Sequence, residues 1–306
     1  MWMRVFLTGA TGYMGGVVLE KLLRANVRVL GFARAARRGE LVTSDGLEWL
    51  YGELDDANAT RFGARSTDAT IHLAARHDES MERLDAAAVH AIAEALRGSG
   101  KAFITTSASP VYGHTGLTPR DEREPVEEPY PGRLFRLEHD RLVAGLNAYG
   151  VRGVVLRPPF VYGRAGGFLV TLIDQAVKDG VARTIGDGSN RWSTVHVDDL
   201  ANLYLLALLN DQATGVYNAG STDTASMREI AEAITINFGN DITVGSWSEA
   251  QAVNRLGPLM PMMALEQRVA SARAYSGLGW APGATTLLND LIAGSYKESP
   301  LVSYSH

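Results

Sequence analysis

Short apolar, β-branched runs alternate with longer stretches of helical periodicity through the first half of the chain. Six of these runs predict strands, at residues 4–7, 27–32, 48–51, 69–73, 102–106 and 151–156. Between the first two, Val18, Leu19, Leu22 and Leu23 recur on one helix face, and Asn26 ends that helix. Strands separated by helix-length segments need right-handed crossover connections, so the pattern predicts a parallel sheet covered by helices.

The pattern becomes less regular after residue 156. Turn-rich breaks occur at 163–167 and 186–190, and Ser226 and Glu229 have the spacing of a capping box before another helical run. We therefore expect an α/β fold, namely a Rossmann, doubly wound parallel sheet with a smaller mixed C-terminal substrate domain. The expected boundaries are 1–165 for the sheet domain, to which 190–220 returns, and 166–306 for the smaller region.

Composition and charge narrow the classes of partner. The 306 residues are 46% hydrophobic, which is enough for a sizeable core. A formal net charge of −5 provides no basic excess to attract nucleic acid, so a small-molecule partner is expected instead. The chain has no cysteine, which excludes disulfides, thiolate catalysis and Cys-ligated zinc. We expect no metal centre.

The sequence also bears on membrane association and location. The most apolar later stretch, 200–209, is about half the ~20 residues that a membrane-spanning helix needs, and it contains Asn202. The chain passes from Met1 into the apolar run 5–7 with no room for a signal peptide. We therefore expect a cytoplasmic protein without a membrane segment.

Three glycines carry the first chemical signal. Gly9, Gly12 and Gly15 follow the first predicted strand and open the first predicted helix. In that context one glycine permits a tight turn, one lets backbone N–H groups approach a pyrophosphate, and one lets the helix pack close to the strand. The sequence thus predicts a dinucleotide pyrophosphate site within residues 8–16.

Four further segments agree with this motif in order and spacing. They are 71–75 (IHLAA), 106–113 (TSASPVYG), 156–163 (LRPPFVYG) and 195–201 (VHVDDLA). Together, over about residues 3–235, they resemble the short-chain dehydrogenase/reductase superfamily, in particular its extended, NAD(P)-dependent epimerase/dehydratase-like branch. The resemblance implies an oxidoreductase fold that binds a nicotinamide dinucleotide, and a homodimer would be ordinary for the family. It further implies that His196, within the last segment, has a packing or domain-positioning role rather than a catalytic one.

The resemblance also implies which residues contact the cofactor. They are Gly9, Thr11, Gly12, Tyr13, Met14 and Gly15 at the pyrophosphate, Leu73, Ala74 and Ala75 beneath the cofactor, Glu53 and Leu54 near the adenine, and Pro158 after a later strand.

The end of the second predicted strand bears on the choice between NAD(H) and NADP(H). A carboxylate there would bind the ribose hydroxyls of NAD, whereas arginine accommodates the 2′-phosphate of NADP. No Asp or Glu occurs between Lys21 and Gly39, while Arg34 directly follows the strand and Arg37 and Arg38 come next. A guanidinium suits a phosphate in charge and geometry, so NADP(H) is favoured over NAD(H).

The resemblance breaks at the expected catalytic centre. The family uses a tyrosine as general acid/base, a lysine four residues later that lowers the tyrosine's pKa, and a serine that binds the substrate oxygen, but no Tyr-x-x-x-Lys occurs in this chain. Tyr130 is the tyrosine at the right distance after the serine segment, and Leu134 stands four residues later. Pro131 disfavours helical geometry at Tyr130, which should therefore lie just outside a helix.

Other polar groups are candidates for proton transfer. Ser107 matches the reductase-like serine position, although the epimerase count places Ala108 there, with Ser109 on its other side. His77 and Asp78 follow the fourth strand, and Tyr112 and His114 follow the fifth, at the sheet edge where ligands bind. We name Ser107, Tyr130, Tyr112 and His77 as the candidate catalytic residues.

Three hypotheses of function remain open from the sequence. The first is an NADPH-dependent reductase of a small carbonyl compound, imine or activated alkene, with a nonstandard proton donor. The second is a nucleotide-sugar epimerase or dehydratase, which the missing lysine opposes because those enzymes must remove a hydroxyl proton. The third is a cofactor-binding regulator or a non-redox lyase.

Overall fold

A computed structural model describes residues 3–76, 78–239 and 241–297. A seven-stranded parallel sheet forms its first layer. Its strands are β1 (Arg4–Thr8), β2 (Arg28–Ala33), β3 (Leu47–Tyr51), β4 (Ala69–His72), β5 (Ala102–Thr106), β6 (Arg152–Arg157) and β10 (Gly215–Asn218). They lie in the order β10-β6-β5-β4-β1-β2-β3. The six strands expected from the sequence are all present, each within one residue of the expected start and end, and the expected α/β class is confirmed.

Helices cover both faces of this sheet. They are α1 (Tyr13–Arg24), α2 (Ala57–Arg65), α3 (Met81–Leu96), α4 (Leu134–Gly145) and α6 (Val197–Leu209). Val18 and Leu22 of α1 share one buried apolar cluster with Leu200 and Leu203 of α6. A second cluster, on the other face, contains apolar side chains of α3 and α4 such as Val89, Ile92 and Val143. Each face is thus closed by its own core, which is the doubly wound arrangement.

Most of the remaining described chain forms a smaller lobe. It contains β7 (Phe160–Tyr162), α5 (Phe168–Asp179), β8 (Val181–Ile185), β9 (Arg191–His196), β11 (Thr224–Ser226), α7 (Met227–Phe238), β12 (Thr243–Trp247), α8 (Glu249–Leu256) and α10 (Leu287–Ala293). Helix α9 (Ala272–Leu278) instead packs against α6 and β10 of the main sheet. Here β9 pairs parallel with β7 and antiparallel with β11, while β12 pairs parallel with β8. The capping box closes the start of α7, with Ser226 and Glu229 bonded reciprocally.

The chain crosses between the two parts more than once. After β7, α5, β8 and β9, it returns as α6 against α1, and β10 then extends the main sheet beside β6. The domain limits 1–165 and 166–306 remain a prediction, although the return of 197–209 and 215–218 to the main sheet supports the part of it that concerns 190–220. Within the described ranges, no helix is both long enough and apolar enough to cross a membrane.

Candidate active site

The glycine loop connects β1 to α1 at the carboxyl edge of the sheet. Gly9 has a φ of +74°, and the Gly12 N–H donates to the Gly9 carbonyl over 2.9 Å, which closes a tight turn. A Cβ on Gly9 would lie 2.6 Å from the backbone nitrogen of Ala74, beyond β4. This position therefore requires glycine both for its conformation and for the close approach of two backbone segments.

The other two glycines shape the start of α1. A Cβ on Gly15 would lie 1.9 Å from the Gly9 carbonyl oxygen, so the first turn of the helix can rest on the loop only with glycine there. Gly12 is the exposed N-cap residue, and no side chain caps the helix. The first N–H groups of α1 therefore face outward beside an exposed Thr11, as a pyrophosphate site requires.

Tyr13 links the loop to the smaller lobe. Its hydroxyl donates to the Gly163 carbonyl over 2.8 Å, and its ring leaves no room for a side chain at Gly166 or Gly167. Burial raises the pKa of Tyr13, and the nearby Tyr296 adds to that rise. Tyr13 thus fixes how the segment after β7 sits over the glycine loop. Its expected contact with the cofactor, like that of the half-buried Met14, stays a prediction.

The strand ends beneath the loop are tied together by Thr8. Its hydroxyl oxygen accepts from the N–H groups of Leu73 and Ala74, both over 3.3 Å. Leu73 is buried and Ala75 is exposed, so the segment emerges from the core along the expected cofactor path. Pro158, at the end of β6, is buried, and its carbonyl accepts from the Ser109 N–H over 3.0 Å.

The three arginines after β2 differ in their partners. Arg37 pairs with Glu40 over 3.0 Å, and the Arg38 guanidinium lies 5.0 Å from the centre of the Tyr51 ring. Arg34 is exposed at the end of the strand and makes no ion pair with any residue that the structure describes. It is therefore the member of the group that can meet a phosphate without losing an existing contact. Glu53 is exposed and Leu54 half-buried just beyond β3.

Two of the four catalytic candidates are held in one buried chain of hydrogen bonds. The Ser107 hydroxyl donates to Asp140 over 3.0 Å, and Asp140 also accepts from Arg157 Nε over 2.7 Å. Arg157 then donates to the Tyr112 hydroxyl over 2.9 Å, which itself donates to Asn218 over 2.9 Å. Both hydroxyls are thus used in fixing α4, β6 and β10 together. Their expected roles in proton transfer remain predictions, and either role would require breaking these bonds.

The other polar residues near these candidates also have hydrogen-bond or ion-pair partners. The Ser109 hydroxyl donates to Gln267 over 2.8 Å, and His114 Nδ1 accepts from the Glu266 N–H over 3.2 Å. Asp78 is exposed and pairs with Arg76 over 2.9 Å. His77, the remaining candidate, lies outside the described residues.

Tyr130 differs from these hydroxyl groups. It has extended geometry directly before a short 3₁₀ turn, Pro131–Arg133, and α4 begins only at Leu134. Tyr130 therefore stands outside the helix, as Pro131 implies. Among the described residues its hydroxyl has no hydrogen-bond partner. Burial raises the pKa of Tyr130, although the positive charge of Arg133 acts to lower it. It is a half-exposed phenol without the lysine that would make it a base near neutral pH.

A buried ionic cluster, which the sequence analysis missed, lies under the same edge. The Asp85 carboxylate of α3 lies 2.7 Å from His139 Nδ1, 2.9 Å from Arg136 Nη1 and 3.4 Å from His72 Nε2. Arg136 also donates to the carbonyl of Thr106, the last residue of β5, over 3.0 Å. Burial alone would raise the pKa of Asp85, but the bonds from both histidines and the charge of Arg136 lower it.

A sequence signal for this cluster exists. Arg136, His139 and Asp140 are spaced three and four apart in a helix, and all three are buried, so charged groups occupy the face that should be apolar. Charged residues are rarely buried in this way unless they are paired. The start of α4 thus carries two guanidinium groups, Arg133 and Arg136, in the segment where the family's tyrosine and lysine were expected.

Comparison with known proteins accords with this geometry. The model of the NAD dependent epimerase/dehydratase family matches residues 5–220. The chain belongs to this family. It is 33% identical over 300 residues to an uncharacterized Schizosaccharomyces pombe protein, covering 96% of this chain and 100% of that protein. Because the family and its characterised relatives are NAD(P)-dependent oxidoreductases and epimerases, the chain is an enzyme of that kind.

Two characterised proteins show the range within these similarities. The 4-hydroxy-2-methyl-3-oxo-4-farnesyl-3,4-dihydroquinoline-1-oxide ketoreductase of Stigmatella aurantiaca is 26% identical, with 83% of this chain and 80% of that protein covered. A dTDP-glucose 4,6-dehydratase from Streptomyces venezuelae, whose crystal structure contains NAD, superposes with a TM-score of 0.80 at 19% identity, covering 96% of each chain. The second similarity shows the shared fold.

Proposed function

We propose that this chain is an NADPH-dependent reductase of a small carbonyl compound, imine or activated alkene. One observation carries the proposal: the start of α4 presents Arg133 and Arg136 beside Tyr130 and has no lysine. The glycine loop fits the dinucleotide, because its tight turn against the start of α1 is possible only without a Cβ at Gly9 and Gly15. When bound, that cofactor supplies the hydride.

Arginines at this place suit hydride transfer at a carbonyl carbon for an electrostatic reason. Hydride addition to a carbonyl leaves negative charge on the substrate oxygen, and a positioned cation stabilises that charge in the transition state. Arg136 is well fixed for this purpose, because Asp85 and the Thr106 carbonyl hold its guanidinium at the end of β5. The relative that is a ketoreductase supports the same direction of chemistry.

The epimerase or dehydratase alternative places a different demand on the site. Such an enzyme must first remove a proton from a hydroxyl group, which needs a base. Asp85 is paired with Arg136 and its pKa is lowered, while burial raises the pKa of Tyr130. Neither group is poised to accept a proton near neutral pH. Burial also raises the pKa of Asp140, but its carboxylate already accepts hydrogen bonds from Ser107 and Arg157. The regulator hypothesis is set aside because the family consists of enzymes.

A substrate panel tests this function. NADPH absorbance is followed with aldehydes, ketones, cyclic imines and enones, and product formation from UDP- and dTDP-sugars is followed in parallel. We expect NADPH consumption with at least one member of the first group and no conversion of nucleotide sugars. Conversion of nucleotide sugars alone would select the epimerase or dehydratase function.

Arg34 gives a prediction about the cofactor. We expect NADPH to bind more tightly than NADH, and Arg34→Ala to weaken NADPH by about 10- to 100-fold while leaving NADH unchanged, because a charge-assisted bond to the 2′-phosphate contributes about 1.5–3 kcal/mol. Calorimetric titration with both cofactors measures the change. The control is Arg28→Ala, an exposed arginine at the opposite end of the same strand. Equal affinities in the unaltered protein would contradict the assignment.

Tyr130→Phe tests whether the phenol is the proton donor. We expect the substitution to lower kcat by less than the ~10²- to 10⁴-fold typical of a lost general acid or base, because no lysine tunes Tyr130 and Pro131 holds it off the helix. Ser107→Ala and Tyr112→Phe are measured beside it by steady-state kinetics. A loss of three or more orders of magnitude with unchanged cofactor affinity would restore the family's usual tyrosine mechanism.

A further inference from the structure

Arg133 is a buried cation without an oxygen acceptor among the residues that the structure describes. It ends the 3₁₀ turn before α4 and is 8% exposed. Its Nη1 lies 3.6 Å from the sulfur of Met81, its Nη2 lies 3.8 Å from the sulfur of Met262, and its Nε has no partner in the described part of the chain. Thioether sulfurs are weak acceptors, so the guanidinium has lost its water without gaining hydrogen bonds of comparable strength.

The other buried arginines of the described chain, Arg136 and Arg157, each bond to a carboxylate, which makes Arg133 an exception. Arg157 also donates to the Tyr112 hydroxyl. The half-buried Arg152 donates to the carbonyls of Ala207, Leu208 and Ala213 over 2.7, 2.7 and 3.3 Å. An unpaired buried guanidinium lowers the stability of a fold, and it persists where a ligand uses it.

The surroundings of Arg133 retain positive charge. Burial, together with the nearby charge of Arg136, lowers the pKa of Arg133 to about 10, so Arg133 remains charged near neutral pH. Asp85, the carboxylate that also acts on Arg133, already bonds to Arg136 and contacts two histidines. The carboxylate of Asp85 therefore balances only one of the two guanidinium groups, Arg133 and Arg136.

Arg133 lies between elements of the two parts of the molecule. Met81 begins α3, soon after the end of β4, and Met262 belongs to a 3₁₀ segment of the smaller lobe, Met260–Ala264. The guanidinium thus lies between the two parts of the molecule at the carboxyl edge of the sheet, where ligands of open α/β folds bind. Methionine side chains are flexible, so their sulfurs can be displaced by stronger acceptors.

We propose that Arg133 binds a carboxylate of the substrate, so that the enzyme acts on a carbonyl compound that is also an acid. A carboxylate matches the guanidinium fork with two parallel bonds and carries the single negative charge that the site lacks. The apolar methionine walls suit a small planar anion better than a phosphate, which needs more donors. The claim that the enzyme reduces this acid rests on the proposed function. The claim that the protein has an anion site rests only on the burial and contacts of Arg133.

Direct binding separates the two claims. The protein is loaded with NADP⁺, which allows no reduction, and ligand-observed NMR measures affinity for 2-oxo-, 3-oxo- and 4-oxohexanoate and for their neutral ethyl esters. We expect at least one acid to bind about tenfold or more tightly than its ester, and Arg133→Met to weaken that acid by about 10- to 100-fold without changing the ester. Arg133→Lys keeps the charge and should retain part of the preference.

Thermal unfolding provides a second readout. Arg133→Met should be at least as stable as the unaltered protein, because methionine fits beside Met81 and Met262 and removes an unpaired charge. The matched control, Arg152→Met, should lower Tm, because it leaves three carbonyls without their donor, and it should keep the preference for the acid. The preferred acid should raise the Tm of the unaltered protein but not that of Arg133→Met.

Several outcomes would overturn the site. They are no preference for any of the three acids, equal weakening of acid and ester by Arg133→Met, or a stronger effect of inorganic phosphate than of the acids. If an acid binds through Arg133 but no carbonyl acid oxidises NADPH, the anion site stands and the reductase function fails. If neutral ketones are reduced and Arg133→Met weakens the acid no more than the ester, the reductase function stands and the anion site fails.

Discussion

Gly12→Val is expected to abolish dinucleotide binding, raising the Kd for NADPH by more than about 100-fold, while the protein stays folded. Gly12 is the exposed N-cap of α1, where the helix presents unbonded N–H groups. A branched side chain there would occupy the approach of the pyrophosphate and displace several charge-assisted bonds at once. Calorimetric titration measures the Kd, and circular dichroism checks that the fold remains.

Two other glycines of the same helix provide the controls. A Cβ on Gly16 would have its nearest contact at 3.8 Å, so Gly16→Ala should bind NADPH normally. A Cβ on Gly15 would lie 1.9 Å from the Gly9 carbonyl oxygen, so Gly15→Ala should disturb both the loop and the stability of the fold. Unchanged affinity in a folded Gly12→Val protein would show that the loop is not the pyrophosphate site.

The parts of the fold that were predictable have local causes. The six strands β1 to β6 are short β-branched or apolar runs bounded by turns, and each is recognisable from its own residues. Strand β10, Gly215–Asn218, is four residues long and opens with glycine. Its position is decided by pairing with β6, about sixty residues earlier in the chain, and no local pattern encodes that pairing.

The candidate site also has one part that local sequence predicts and one part that depends on long-range contacts. The glycine loop can be predicted because all of its residues are close together in the sequence. Ser107 and Tyr112 follow β5, where the sequence predicts candidate catalytic residues, and that role stays a prediction. Their partners Asp140 and Asn218 lie 33 and 106 residues away, and these partners decide what the hydroxyls do. Long-range contacts of this kind follow from the packing of α4 against β6 and β10. They become visible only in the structure.

Asp85→Ala is expected to produce the largest loss of stability in this chain, about 3–5 kcal/mol in the free energy of unfolding, because it removes the anion from a buried ion pair. Asp85 is 1% exposed, and its loss would leave Arg136 buried without a carboxylate beside the already unpaired Arg133. Urea unfolding at pH 7 measures the change. Asp85→Asn keeps the shape and separates loss of charge from loss of packing.

The pH dependence supplies an independent check with a definite sign. Because the pKa of Asp85 is lowered in the folded state, its contribution to stability is fully present above the unfolded carboxyl value of about 4 and is lost as the pH falls below it. The stability gap between the unaltered protein and Asp85→Ala should therefore shrink between pH 7 and pH 3. Asp55→Ala, which breaks the exposed Asp55–Arg83 pair of 2.6 Å, should produce a far smaller change at pH 7. Equal losses from the two substitutions would mean that the cluster around Asp85 does not hold α3 and α4 to the sheet, and that Arg136 is positioned by its bond to Thr106 alone.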